Sequence, residues 1–102
     1  MEGSERRRAP RVRVDLRVRY RRPDGNEHGA TLADISEAGL RLVGGEALPV
    51  GTAVEVWFYD PTGRRHDLSG TVVRSEPREG FAVSLLTPGP ATLDFVREKL
   101  AG

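Results

Sequence analysis

Two short stretches of the chain stand out for the side chains they bring together. The first is Arg6-Arg7-Arg8-Ala9-Pro10-Arg11. The second is Asp34-Ile35-Ser36-Glu37-Ala38-Gly39, an acid, a hydroxyl and a glycine at spacings of two and three. A guanidinium forks onto phosphate oxygens or paired base acceptors and also stacks flat on a base, whereas lysine supplies charge alone. A carboxylate accepts paired N–H donors, and a serine hydroxyl donates or accepts. A glycine lets backbone approach a ligand with no Cβ in the way. Both stretches also have a plain structural reading. The arginines can be a solvated face, and Asp-x-Ser-x-x-Gly can be a turn, with Asp34 and Ser36 bonded to local backbone and Gly39 supplying a positive φ.

Other chemistry is thinly provided. There is no cysteine, which removes disulfides, thiolate zinc sites and a thiol nucleophile. The only histidines, His28 and His66, have no partner at metal-ligand spacing and read as surface residues flanking turns. The acids Asp34 with Glu37, and Asp60 with Asp67, read as solvated turn residues rather than paired catalytic carboxylates. Trp57, Tyr20 and Tyr59 sit in strand-like segments, where packing in the core or at its rim is the expected role. The sequence therefore predicts a protein that is not an enzyme, with no metal and no cofactor.

The elements that must hold these residues follow from patterning. The 102 residues suffice for one domain around one core. Residues 1–10 are polar and predict a flexible basic arm, with residues 11–102 forming the domain. From Arg11 to Arg21 apolar Val12, Val14, Leu16, Val18 and Tyr20 alternate with polar residues, the mark of a half-buried strand. Further strands are expected at about Glu27 to Ile35, Leu40 to Val43, Thr52 to Tyr59, Arg65 to Ser75 and Phe81 to Leu86. Turn signals separate most of them, such as Pro23-Asp24-Gly25-Asn26 and Asp60-Pro61-Thr62-Gly63, and Gly70 marks a bend or bulge. From about residue 90 to 100, Leu93, Val96 and Leu100 recur at helical spacing with Phe95 beside them, and Pro90 suits a first helical position. The fold class predicted is all-β: a small six-stranded antiparallel barrel with a C-terminal helix packed over an open end or face.

Charge is unevenly spread. Residues 1–22 hold nine arginines against three acids, while the remainder holds seven basic and twelve acidic residues. Such segregation favours a polyanionic or phosphate-bearing partner. No stretch approaches the length of a membrane helix, and the basic N-terminus has no apolar run behind it, so a soluble, cytoplasmic domain is expected.

Arg7-Arg8-Ala9-Pro10-Arg11 and Asp34-Ile35-Ser36-Glu37-Ala38-Gly39, in that order around the first strand, resemble the PilZ domain family, bacterial receptors for the second messenger cyclic di-GMP. That family is marked by Arg-x-x-x-Arg before the first strand and a later (Asp/Asn)-x-Ser-x-x-Gly, often with an extra arginine preceding the first motif, which Arg6 matches. The resemblance covers about residues 5–100. It implies a six-stranded barrel with a C-terminal helix. It also implies binding of cyclic di-GMP by Arg7, Arg11, Asp34, Ser36 and Gly39, with Arg6 as an additional contact, and signalling to a downstream protein through ordering of the arm. Two other readings stand beside it: a small barrel that binds single-stranded nucleic acid, and a PilZ-like interaction module that binds no ligand. The nucleic-acid reading needs aromatics interleaved with the basic face. The first strand offers only Tyr20, on the opposite face, so a nucleic-acid partner is not expected.

Overall fold

Alternation of apolar and polar residues, broken by turn-formers, yields six strands and then a helix. The computed structural model describes residues 10–44, 46–85 and 89–101. The strands are β1 (Val12–Arg21), β2 (Glu27–Ile35), β3 (Gly39–Val43), β4 (Ala53–Tyr59), β5 (Arg65–Glu76) and β6 (Gly80–Leu85), followed by α1 (Pro90–Ala101). Every pairing is antiparallel, and the strands close into a barrel in the order β1-β2-β3-β6-β5-β4. The barrel closes through a short seam between β1 and β4, paired from Arg19 to Arg21. The predicted fold class is the one observed.

The inward residues of all six strands form one core. Tyr20, Leu32, Leu40, Leu42, Val56, Phe58, Val72, Phe81 and Val83 are buried in it, and Phe95 and Val96 of the helix complete it. The helix buries Thr92, Phe95 and Val96, whereas Leu100 is exposed. The predicted Leu93–Val96–Leu100 stripe is thus rotated, because Phe95 seats against Phe58 and the ring of His66.

Three irregularities decide what points outward. Register shifts fall between Arg13 and Leu16 of β1, between Leu32 and Asp34 of β2, and between Val72 and Arg74 of β5. Strict alternation would place Asp34 on the same face as Ala30 and Leu32. The extra residue at Ala33 switches the parity, so Ile35 goes to the core opposite Leu40 and Asp34 faces out opposite Arg41. The bulge in β5 lies at Val73 and not, as expected, at Gly70.

His66 is a correction to the sequence reading. Instead of flanking a turn at the surface, it is fully buried, stacked on Phe58 with ring centroids 4.9 Å apart. Its Nε2 lies 2.9 Å from Asp60 Oδ2 and its Nδ1 3.0 Å from Thr92 Oγ1. A carboxylate only accepts, so Nε2–H donates to Asp60, and in the neutral ring Nδ1 accepts the Thr92 hydroxyl. This chain ties the β4–β5 turn to the first turn of α1. Asp60 also accepts the Thr62 hydroxyl at 2.6 Å and the N–H groups of Thr62 and Arg64. The bond from His66, then those from Thr62, hold the Asp60 carboxyl well below the usual carboxylate range. A carboxyl whose folded value is depressed contributes stability above its unfolded value, about pH 4, and that contribution is lost as the pH falls toward the folded value. The thermal midpoint of the wild type should therefore drop below about pH 4 more steeply than that of Asp60→Asn, which should be less stable at pH 7. Parallel midpoint curves for the two proteins would remove this role for Asp60.

Candidate functional site

The bulge that turns Asp34 outward places it in a row of side chains running across the barrel wall. Arg13 of β1 pairs in register with Asp34, Asp34 with Arg41 of β3, Arg41 with Ala82 of β6, and Ala82 with Arg74 of β5. Just before β1, Arg11 reaches the same carboxylate. Its Nη2 and Nε lie 2.6 and 2.7 Å from Asp34 Oδ1. Two residues far apart in sequence, one from each motif, are therefore in direct contact.

The rest of the second motif builds the turn between β2 and β3. The Ser36 hydroxyl oxygen accepts the N–H groups of Ala38 and Gly39, each at 3.1 Å, and its proton points at the Gly39 carbonyl at 3.3 Å. The Ser36 N–H also donates to that carbonyl, at 2.8 Å. With Ser36 only 1% exposed, its hydroxyl is committed to the turn, and its contribution is to fix the turn's shape. Gly39 does not take the positive φ expected of it. A Cβ there would lie 2.6 Å from the Val83 carbonyl oxygen, so glycine is needed for the close approach of β3 to β6.

A groove of about 410 Å³ opens over this arrangement, lined by Arg11, Ser36, Gly39, Arg41, Arg74 and Ala82 among others. A second groove of about 380 Å³ holds Arg13, Asp15 and Asp34 and shares Arg41 with the first. Among the described residues, four arginines thus face the two grooves. Arg41 and Arg74 were not singled out in the sequence. The signal that finds them is register: Arg41 sits opposite Asp34, and Arg74 lies one strand beyond Ala82. Arg6 and Arg7, with the rest of residues 1–9, lie outside the described residues.

Elsewhere the remaining candidates are occupied in other ways. Glu37 pairs with Arg97 of α1, and Asp67 with Arg65, both at the surface, whereas Asp60, read as a solvated turn acid, is largely buried against His66. Tyr20 is fully buried, with its hydroxyl accepting the Glu46 N–H. Tyr59 is exposed. Trp57, across from Arg19 of β1, supplies the aromatic that the nucleic-acid reading lacked, but the guanidinium groups of Arg21 and Arg65 already lie over its ring. Among the described residues no cluster of three potential metal ligands occurs, and no helix is long and apolar enough to cross a membrane.

Comparison with known proteins gives this geometry a context. A family model described as "PilZ domain" matches residues 5–100. Among solved structures, the chain is similar to the Bacillus subtilis inhibitor of motility MotI/DgrA, with a TM-score of 0.73 at 18% identity over 93% of this chain and 52% of that one. It is also similar to the PilZ domain of CeSA from a cellulose-synthesizing bacterium, with a TM-score of 0.63 at 18% identity over 88% of this chain and 92% of that one. At such identities the likeness is one of fold, and the chain spans about half the length of the motility inhibitor. No curated protein sequence is significantly similar to it.

Proposed function

The chain belongs to the PilZ domain family, and from that premise we propose that it is a non-enzymatic, cytoplasmic bacterial receptor for cyclic di-GMP. The observation that carries the reading is the contact between Arg11, which lines one groove with Ser36 and Gly39, and Asp34, which lines the neighbouring one. Cyclic di-GMP has two guanines and two phosphodiesters. Asp34 offers guanine N1–H and the 2-amino group a paired acceptor, and Arg11 offers a planar fork to phosphate or to the guanine O6 and N7 edge. Ser36 and Gly39 hold the turn that frames the groove. Arg7 precedes Arg11 by four residues, at most about 14 Å of extended chain, so with Arg6 it has the reach to close over a nucleotide beside Arg11. Electrostatic gain then helps offset the ordering of the arm.

Output passes to a partner protein that reads the arm and the groove as one surface. One structural neighbour is an inhibitor of motility and another is part of CeSA from a cellulose-synthesizing bacterium, so motility and polysaccharide synthesis are the first processes in which to look. Titration calorimetry tests the reading. Wild type should bind cyclic di-GMP at micromolar concentration in preference to GMP and cyclic di-AMP. Arg7→Ala and Arg11→Ala should each weaken binding about tenfold, the scale of one charge-assisted fork with other arginines nearby. Absence of wild-type binding would overturn the function, and unchanged affinity in both variants would overturn the site.

A further inference from the structure

The groove wall holds two arginines with an unusual gap between them. Arg41 on β3 and Arg74 on β5 both pair in register with Ala82 on the intervening strand β6. Two strand spacings separate their backbones, about 9.6 Å, and the residue between them carries only a methyl group. The result is a slot with a guanidinium on each side and an alanine floor, and all three residues line the same groove.

In this structure one carboxylate reaches both guanidinium groups. Glu76 Oε1 lies 3.0 and 3.2 Å from Arg41 Nη2 and Nε, and Glu76 Oε2 lies 3.9 Å from Arg74 Nη1. The β5–β6 turn brings it there: Glu79 N–H bonds the Glu76 carbonyl, and Glu79 adds a longer contact to Arg41 at 3.5 Å. Glu76 thus spans the pair as a phosphodiester would, with one oxygen toward each guanidinium. Arg74 is largely exposed and Arg41 partly so, which makes the contacts exchangeable rather than a fixed part of the core.

We propose that Arg41 and Arg74 form an anion subsite that Glu76 occupies in the empty protein and that a ligand phosphate claims by displacing it. The proposal rests on the cyclic di-GMP reading for the identity of that phosphate. On this view Glu76 is an internal competitor: it lowers affinity, and it keeps the arginines from gathering other anions when ligand is absent.

Calorimetric titration with cyclic di-GMP at low salt supplies the test. Glu76→Gln keeps the size of the side chain and removes its charge, so binding should tighten about three- to tenfold, the scale of one partly exposed charge pair. Glu55→Gln, which removes an acid paired with Arg21 on β4, controls for net charge and should change little. In Arg41→Ala the gain from Glu76→Gln should disappear. An affinity for Glu76→Gln equal to or below wild type, in a protein with an unchanged thermal midpoint, would overturn the proposal, as would an equal gain in Glu55→Gln. If neither wild type nor Glu76→Gln binds cyclic di-GMP, the ligand reading fails, and the subsite is judged by pyrophosphate. Larger shifts of the Arg41 and Arg74 Nε–Hε NMR signals in Glu76→Gln than in wild type would then support it, and equal or absent shifts would overturn it.

Discussion

Asp34→Ala is expected to weaken cyclic di-GMP binding about a hundredfold, close to 2.8 kcal/mol. It should also erase most of the preference for guanine over adenine. Four arginines face the two grooves, so the loss of any one leaves others to carry charge. Among the described residues, Asp34 and Asp15 are the carboxylates that line these grooves, and Asp34 is the one in contact with Arg11. A guanine presents two adjacent N–H donors where adenine does not. A site built to accept them discriminates strongly, because the mismatched ligand leaves polar groups unpaired. Removing the acceptor therefore costs the guanine ligand far more than the adenine one. Asp34 also steers the Arg11 guanidinium, so the substitution releases a second contact. The fold should be nearly unaffected: Asp34 faces outward, and the Arg11 it would abandon is about half exposed, making their pair worth at most about 1 kcal/mol in the empty protein. Calorimetry with cyclic di-GMP and cyclic di-AMP, beside a thermal melt, reads all three quantities. Equal losses for both nucleotides would mean that Asp34 acts through charge and does not read the base.

Much of this geometry was legible before any coordinates, for a definite physical reason. Where apolar and polar residues alternate without interruption, as from Leu16 to Arg21, the period fixes both the strand and its inward face. All six strands and the helix fall within a residue or two of where patterning puts them. What patterning cannot supply is the parity switch at a bulge. Nothing in Leu32-Ala33-Asp34-Ile35 announces that Ala33 is the extra residue, yet that residue turns Asp34 toward Arg11 and away from the core. Long-range pairing is equally silent. His66 reads as a turn-flanking polar residue until Asp60, Thr92 and two phenylalanine rings are seen around it. The same holds for Arg41 and Arg74, whose relation runs through Ala82 on a third strand. The motif pattern found Arg11, Asp34, Ser36 and Gly39 together. Ser36 bonds within its turn, as the plain structural reading has it, whereas Gly39 serves the close approach of β3 to β6 instead of a positive φ.

The largest expected loss of stability comes from a glycine outside both motifs. Gly80 opens β6 with φ +150°, where an L side chain is strained, and a Cβ on it would overlap the Leu42 carbonyl and lie 2.9 Å from the Val43 Cα. It is paired on both sides, with Val43 of β3 and Glu76 of β5, so the backbone has no free direction in which to yield. The neighbouring bond from Gly44 N–H to the Glu79 carbonyl holds the same corner closed. Gly80→Ala therefore combines backbone strain of about 1–3 kcal/mol with an overpacking cost of similar size, some 3–5 kcal/mol together. In a domain of this length that should lower the thermal midpoint by about 15 °C or more. Gly44→Ala isolates the two contributions. Gly44 also has a positive φ, +80°, but a Cβ there would meet nothing within 4 Å, so only the conformational part is lost. Its midpoint should fall by about a third as much, since strain without overlap costs roughly 1 kcal/mol. Equal midpoints for the two variants would mean that β6 does not press against β3 at this corner. The close β3–β6 contact invoked for Gly39 would then lose its support as well.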